Sequence, residues 1–94
     1  MTDDEREIRM LTMRSWRRGM REVDLLAGPF AEAALPAMTA AERTAYAALL
    51  EENDQDLYAW IVAAADGRAL APAAHAPLIA RIARFAAEAR TKSA

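Results

Sequence analysis

The stretch Arg17-Arg18-Gly19-Met20-Arg21-Glu22 is a charged run with a glycine inside it. Glycine lowers helix stability by about 1 kcal/mol relative to alanine, so its position suggests a site where another backbone must come close. Arg18 and Glu22 flank this position with opposite charges. The run therefore predicts a contact site that binds a partner through charge-assisted hydrogen bonds. The same residues also fit an ordinary surface pair at i,i+4 spacing and a bend between two helices.

A second group of charged residues lies near the middle of the chain, at Glu51, Glu52, Asp54 and Asp56. Hard cations prefer carboxylate ligands, but the segment lacks the glycine and the distal glutamate of an EF-hand loop. Negative charge is also favourable at a helix N-terminus. We therefore expect this acidic cluster to be a helix start with solvated charge, and no metal site is predicted.

The remaining residue types exclude most catalytic chemistry. The chain has no cysteine, and His75 is its single histidine. A disulfide, a thiolate nucleophile and a histidine-rich metal site are therefore excluded. No glycine-rich phosphate loop or dinucleotide fingerprint is present. His75 lies in an Ala/Pro-rich segment, where it is expected to be solvated and without an acid partner. No catalytic residue and no cofactor site are predicted, and the protein is not expected to be an enzyme.

Length and charge restrict the class further. Ninety-four residues make one domain with a formal net charge of −2. Residues 31–66 carry seven acidic residues and one basic residue, Arg43, whereas residues 67–94 carry five basic residues and one acidic residue. An acidic middle segment would repel nucleic acid. No apolar run approaches the ~18–20 residues that span a bilayer, and the acidic N-terminus is unlike a targeting peptide. A cytoplasmic protein without membrane insertion is expected.

Helical periodicity predicts five helices that would position these residues. The first covers residues 5–17, and the second begins at Gly19 or Met20 with a kink or break at Gly28-Pro29. The capping box Thr39-Ala40-Ala41-Glu42 starts a third helix that runs to about residue 52. Asn53 or Asp54 caps the fourth, which ends at Gly67. A small all-α bundle of five helices follows, as one domain over 1–94 with an ordered core of about 6–90.

Several side chains are assigned to the interior by their spacing. The third helix is expected to turn Ala45, Tyr46, Leu49 and Leu50 inward, and Trp60 lies on the core stripe of the fourth helix. The fifth helix begins near Pro77 and shows the clearest pattern, at positions 78, 79, 82, 85 and 86. Trp16 lies off the main stripe of the first helix, where it would flank the binding face.

Two motifs resemble the SdhE family of succinate dehydrogenase assembly factors. The first is the run at residues 17–22 followed by Asp24-Leu25-Leu26 and Phe30, and the second is Asp54-Gln55-Asp56-Leu57-Tyr58-Ala59-Trp60-Ile61. The resemblance covers roughly residues 6–85. Gln55 is a departure, because relatives often have proline between the two aspartates. The amide that Gln55 keeps leaves the start of the fourth helix less rigid.

The resemblance implies a five-helix fold and a non-enzymatic assembly factor. Such a factor binds the flavoprotein subunit of succinate dehydrogenase, or in some members that of fumarate reductase, and promotes covalent attachment of FAD to it. The resemblance also implies that FAD is held by the partner. The free protein is expected to be a monomer. The partner-binding residues it indicates are Arg17, Arg18, Gly19, Glu22 and Asp24. Asp24 could instead stabilise the helix start. Arg18→Ala and Gly19→Val variants are expected to fold but to lose the partner.

A small helical DNA-binding protein or a regulatory protein-interaction module is the alternative function. The first helix is rich in arginine and precedes a turn, which is compatible with either. A recognition helix needs net positive charge, however, and the helix that follows the turn carries Glu22 and Asp24. The residue pattern therefore favours the assembly-factor hypothesis.

Overall fold

The helices begin and end at residues that satisfy free backbone groups. In the computed structural model, which describes residues 1–93, Thr39 and Glu42 form the predicted capping box. Asn53 caps the fourth helix by accepting from the amide of Asp56 at 2.8 Å, and Gly67 ends that helix with a φ of +78°. A further capping box at Thr2 and Glu5 starts the first helix. These local bonds fix the element boundaries.

The described part of the chain contains five α-helices and one short 3-10 turn, connected by loops. They are α1 (Asp3–Trp16), α2 (Arg21–Ala34), the 3-10 turn (Leu35–Ala37), α3 (Ala40–Leu49), α4 (Asp54–Ala65) and α5 (Ala76–Ser93). The all-α prediction is confirmed. Helical structure extends past the predicted 6–90 core at both ends, and the boundary predicted at residue 94 lies outside the described residues. None of these helices is long and apolar enough to cross a membrane.

The core forms where α2 packs between the other helices. Val23, Ala27 and Phe30 of α2 are buried there. The Phe30 ring lies 5.9 Å from the ring of Tyr46 in α3 and 5.9 Å from that of Phe85 in α5. Such tilted and edge-to-face pairs are favourable beyond the area they bury. One aromatic side chain of α2 therefore connects α3 and α5.

Two sequence-based expectations about these helices are wrong. Of the two alternatives predicted at Gly28-Pro29, a kink or a break, the break does not occur, because α2 runs unbroken to Ala34. Ala27, Phe30 and Ala31 are buried on both sides of Pro29 and hold the two halves of α2 in the core. The second error is Ala45, which was expected inside and is exposed. The inward stripe of α3 begins instead at Arg43, as described next.

Arg43 is a buried cation that attaches α3 to the start of α1. Its guanidinium donates to Glu7 at 2.5 Å, to Asp4 at 2.7 Å and to the Met38 carbonyl at 2.8 Å. The hydrogen bond to Glu7 raises the pKa of Arg43. Buried charges need such partners, since an isolated ion in the interior is strongly unfavourable. The position of α1 on α3 is thereby fixed at one end.

Candidate partner-binding site

The predicted contact run covers the loop between α1 and α2 and the first two residues of α2. Gly19 has a φ of +98°, in the region that side-chain-bearing residues rarely adopt. A Cβ placed there would have Asp54 as its nearest neighbour, with Oδ2 at an ordinary 3.9 Å. Space is therefore not what requires the glycine. The backbone turn between the two helices accounts for the glycine. This agrees with the sequence-based interpretation of Gly19 as a bend between two helices.

Arg18 directs its guanidinium into the protein. Nε donates to Asp54 Oδ1 at 2.9 Å, one terminal nitrogen donates to the carbonyl of Glu52 at 2.7 Å, and the other donates to the carbonyl of Leu50. The side chain is only 12% exposed. The hypothesis that this guanidinium binds a partner directly does not match these contacts. Arg18 instead connects the α1–α2 loop to the turn between α3 and α4, because both carbonyls lie in that turn.

The other predicted residues divide between the interior and the surface. Asp24 is half-buried, and one of its oxygens accepts from the backbone N–H of Arg18 at 2.7 Å. It therefore acts locally at the start of α2. Arg17 and Glu22 are exposed, and no side-chain hydrogen bond or ion pair engages either one within residues 1–93. Of the five residues, Arg18 and Asp24 shape the loop, while Arg17, Gly19 and Glu22 face solvent.

Each carboxylate of the acidic cluster has a separate partner. The pairs are Glu51 with Arg14 at 2.6 Å, Glu52 with His75 at 2.9 Å, Asp54 with Arg18 at 2.9 Å, and Asp56 with Asn53 at 2.8 Å. The residues described here contain no group of three or more acidic or histidine side chains arranged to hold a metal ion. Two of these carboxylates thus neutralise Arg14 of α1 and Arg18 of the loop that follows it.

His75 also contacts other side chains of the protein, contrary to the expectation that it is solvated and without an acid partner. Its Nε2 lies 2.9 Å from a carboxylate oxygen of Glu52, and its ring stacks on that of Trp60 with centroids 5.9 Å apart. Trp60 itself is half-buried and packs against the core. The segment after α4 folds back so that His75 reaches the α3–α4 turn. That turn is therefore held by Arg18 on its backbone and by His75 on a side chain.

Trp16 and Gly28 form a contact that the sequence pattern did not indicate. A Cβ at Gly28 would lie 2.3 Å from the indole ring of Trp16, which is far inside van der Waals contact. Gly28 therefore provides the surface on which the ring packs, and Trp16 remains 37% exposed. A glycine inside a helix is unfavourable without such a reason. The only sequence signal was this glycine in an otherwise helical stretch.

The structure contains an apolar groove of about 560 Å³. It lies between α2, α4 and α5, and its α2 wall consists of Leu25, Leu26 and Pro29. Glu22 precedes these residues by three, four and seven positions, so all four lie on one face of α2. The free carboxylate of Glu22 thus lies at the end of an apolar surface. A charged group beside exposed apolar area is typical of an interaction site.

Comparison with known proteins places the chain in a family. A family model described as flavinator of succinate dehydrogenase matches residues 9–86, a range that contains the loop and both motifs. The chain belongs to this family. The resemblance read from the two motifs is thereby confirmed. No solved structure matches the chain.

Curated relatives carry related names. The FAD assembly factor SdhE of Vibrio cholerae is 44% identical over 46 residues, which are 49% of this chain and 54% of that protein. The FAD assembly factor SdhE of Pseudomonas aeruginosa is 39% identical over 59 residues, 63% of this chain and 69% of that protein. A mitochondrial succinate dehydrogenase assembly factor 2 of Komagataella phaffii is 44% identical over 54 residues, 57% of this chain and 28% of that protein. The chain spans about half the length of most bacterial relatives it matches.

Proposed function

We propose that this protein is an assembly factor that binds the flavoprotein subunit of succinate dehydrogenase and promotes covalent attachment of FAD to that subunit. The observation that carries the proposal is family membership over residues 9–86, which include the preformed α1–α2 loop. The names of the relatives agree with it, since they are FAD assembly factors and a succinate dehydrogenase assembly factor. Residues exposed around the loop supply the contact surface.

The protein would act by positioning its partner, not by reacting. Covalent attachment needs a nucleophilic histidine and a flavin, and both belong to the flavoprotein subunit and its cofactor. Holding reacting groups in the correct geometry can lower a barrier by several kcal/mol. The chain would contribute no catalytic residue and hold no FAD of its own. It is therefore proposed as a chaperone-like factor and not as an enzyme.

The exposed residues of the loop are assigned to the partner. Glu22 and Arg17 would form charge-assisted hydrogen bonds with it, and the bare backbone of Gly19 lies between them. Arg18 and Asp24 would serve the same site indirectly by fixing the loop. Arginine is enriched among interface residues whose truncation costs 2 kcal/mol or more, so Arg17 is a natural candidate for such a contact.

Further properties belong to the same proposal. The flavoprotein subunit of fumarate reductase is proposed as a second partner, because its flavin attachment poses the same positioning problem. The free chain is proposed to be a cytoplasmic monomer without nucleic-acid or membrane partners. The net charge of −2 and the acidic segment 31–66 support the absence of nucleic-acid binding.

The test is complementation of a strain that lacks this protein. Covalent flavin is read as fluorescence of the succinate dehydrogenase flavoprotein band in a denaturing gel. Wild-type protein should restore the fluorescent band, and the Glu22→Ala variant should restore much less. Glu88→Ala is the matched control, because Glu88 is exposed on α5 and away from the loop. Full fluorescence in the strain without any factor would refute the function, and full rescue by Glu22→Ala would refute the site.

A further inference from the structure

The segment from Arg9 to Arg21 contains five arginines and no acidic residue. Two of the five form ion pairs with carboxylates of the acidic cluster. Arg14 pairs with Glu51 at 2.6 Å, and Arg18 pairs with Asp54 at 2.9 Å. The other three, Arg9, Arg17 and Arg21, are exposed and form no ion pair with any residue in the described range. Three positive charges of this segment therefore have no ion-pair partner among the described residues.

Exposed apolar side chains lie between these charges. Met10 is 55% exposed, Met13 49% and Trp16 37%. Positions 9, 10, 13 and 16 share the outer face of α1, opposite the buried Leu11 and Ser15, and Arg17 directly follows the last of them. We name as the Arg-Met face the six residues Arg9, Met10, Met13, Trp16, Arg17 and Arg21.

The Arg-Met face is continuous with the start of α2. Trp16 packs on Gly28, and Leu25 lies one turn earlier on the same side of α2 and is exposed. Arg21 lies one further turn earlier and directly precedes Glu22. The Arg-Met face and the α1–α2 loop are therefore adjacent. An apolar surface of this kind with free charges at its rim resembles the core and rim of a protein interface.

We propose that the Arg-Met face is a docking surface for an acidic, partly apolar patch of the flavoprotein subunit. This inference rests on the proposed function and identifies the chemistry of the surface that the partner must present. Methionine and arginine are enriched at interfaces, and the flexible thioether adapts to an irregular neighbour. The three unpaired guanidinium groups favour carboxylates, to which arginine binds in a bidentate manner. The partner's acidic residues should flank an apolar centre that covers Met13 and Trp16.

A protein partner fits this face better than nucleic acid or a membrane does. Recruitment to anionic lipids is typical of clusters of about four to eight basic residues, and only three are free here. The apolar centre would also gain nothing from a phosphate backbone.

Two double variants with the same change of charge test the proposal. Arg9→Glu/Arg17→Glu reverses two charges of the Arg-Met face. Arg68→Glu/Arg84→Glu reverses the charges of two exposed arginines elsewhere on the protein. Affinity for the purified flavoprotein subunit is measured by calorimetry at low and at physiological salt. We expect the first variant to bind about tenfold more weakly and with less salt dependence, since steering and ion pairing are lost together. The control should stay within about twofold of wild type.

A third variant separates the apolar contribution from the charges. Met10→Gln/Met13→Gln should weaken binding severalfold while the salt dependence stays at the wild-type value. Melting temperatures of all variants establish that each is folded. Binding to duplex DNA and to vesicles of phosphatidylcholine with phosphatidylglycerol is measured in parallel for the wild-type chain and for the Arg9→Glu/Arg17→Glu variant.

The outcomes distinguish this inference from the function on which it rests. If wild-type protein binds the flavoprotein subunit and both charge-reversed variants bind equally well, the Arg-Met face is not a docking surface and the proposed function stands. If the Arg9→Glu/Arg17→Glu variant loses binding to DNA or vesicles while its flavoprotein binding is unchanged, the partner of the Arg-Met face is nucleic acid or a membrane and not the flavoprotein subunit. If wild-type protein does not bind the flavoprotein subunit at all, both proposals fail.

Discussion

Replacement of Arg18 by alanine should destabilise the protein, although the residue belongs to the motif that predicts partner binding. The change removes the donor to Asp54 and to the carbonyls of Leu50 and Glu52. Water can reach these acceptors only in part, because the side chains of Arg18 and Asp54 are 12% and 20% exposed. The α3–α4 turn would lose its connection to the α1–α2 loop.

The size of the effect follows from these contacts. A hydrogen bond to a charged group contributes about 1.5–3 kcal/mol, but the three bonds will not add fully. Asp54 lies in the first turn of α4, where the helix dipole still favours its charge. We therefore expect a loss of about 2–3 kcal/mol from a total stability of ~5–15 kcal/mol. For a domain of this size the melting temperature should fall by roughly 10–20 °C.

Thermal unfolding followed by circular dichroism measures the change, with urea unfolding as a second measure of the free energy. Arg17→Ala is the matched control, because Arg17 is the neighbouring arginine and is exposed. Its melting temperature should match that of the wild type, since such surface changes are usually within about 0.5 kcal/mol. A double-mutant cycle with Asp54→Asn should give a coupling energy of about 1–2 kcal/mol. Equal stability of the Arg18→Ala and Arg17→Ala variants would refute the internal role of Arg18.

Three further changes test other contacts. Gly28→Ala places a Cβ against Trp16 and should displace the ring at a net cost of about 1 kcal/mol; an unaltered near-ultraviolet circular dichroism spectrum would contradict this. His75→Ala removes the contact to Glu52, so urea unfolding should show a loss of about 1 kcal/mol, whereas unchanged stability would mean that the pair is not formed in solution. Burial raises the pKa of Tyr46, so its contribution is fully present below the unfolded-state pKa of ~10 and is lost as pH rises through the folded-state value. Stability measured across that alkaline range should fall less for Tyr46→Phe than for the wild type, and parallel curves would exclude Tyr46 as the titrating group.

Elements of the fold that depend on local interactions could be predicted from the sequence. The capping box at Thr39, the cap at Asn53 and the left-handed Gly67 all act within a few residues, so their patterns are visible in the chain. The apolar stripe of α5 could be predicted equally well from its spacing. The predicted end of α3 was three residues late. Leu50 and Glu52 lie beyond the helix, and their carbonyls accept from Arg18, which is 32 and 34 residues earlier in the chain.

Contacts between distant residues could not be derived from local pattern. An arginine beside a glycine looks the same whether its guanidinium points to solvent or to an aspartate 36 positions away. The same holds for His75, whose acid partner lies 23 residues earlier. The uneven charge distribution was the available signal, since the acidic segment lies between arginine-bearing ends. Those opposite charges pair within the fold at the α3–α4 turn.

The loop would allow one motif to serve both folding and the proposed binding. Arg18 and Asp24 fix the backbone around Gly19 before any partner is present, so Glu22 would be offered without a large ordering cost. Immobilising a flexible side chain or loop on binding otherwise costs about 0.5–1.5 kcal/mol for each side chain. Arg18 would thus strengthen binding without touching the partner. It follows that loss of binding in an Arg18 variant does not identify a contact, whereas loss in Glu22→Ala or Arg17→Ala at an unchanged melting temperature does.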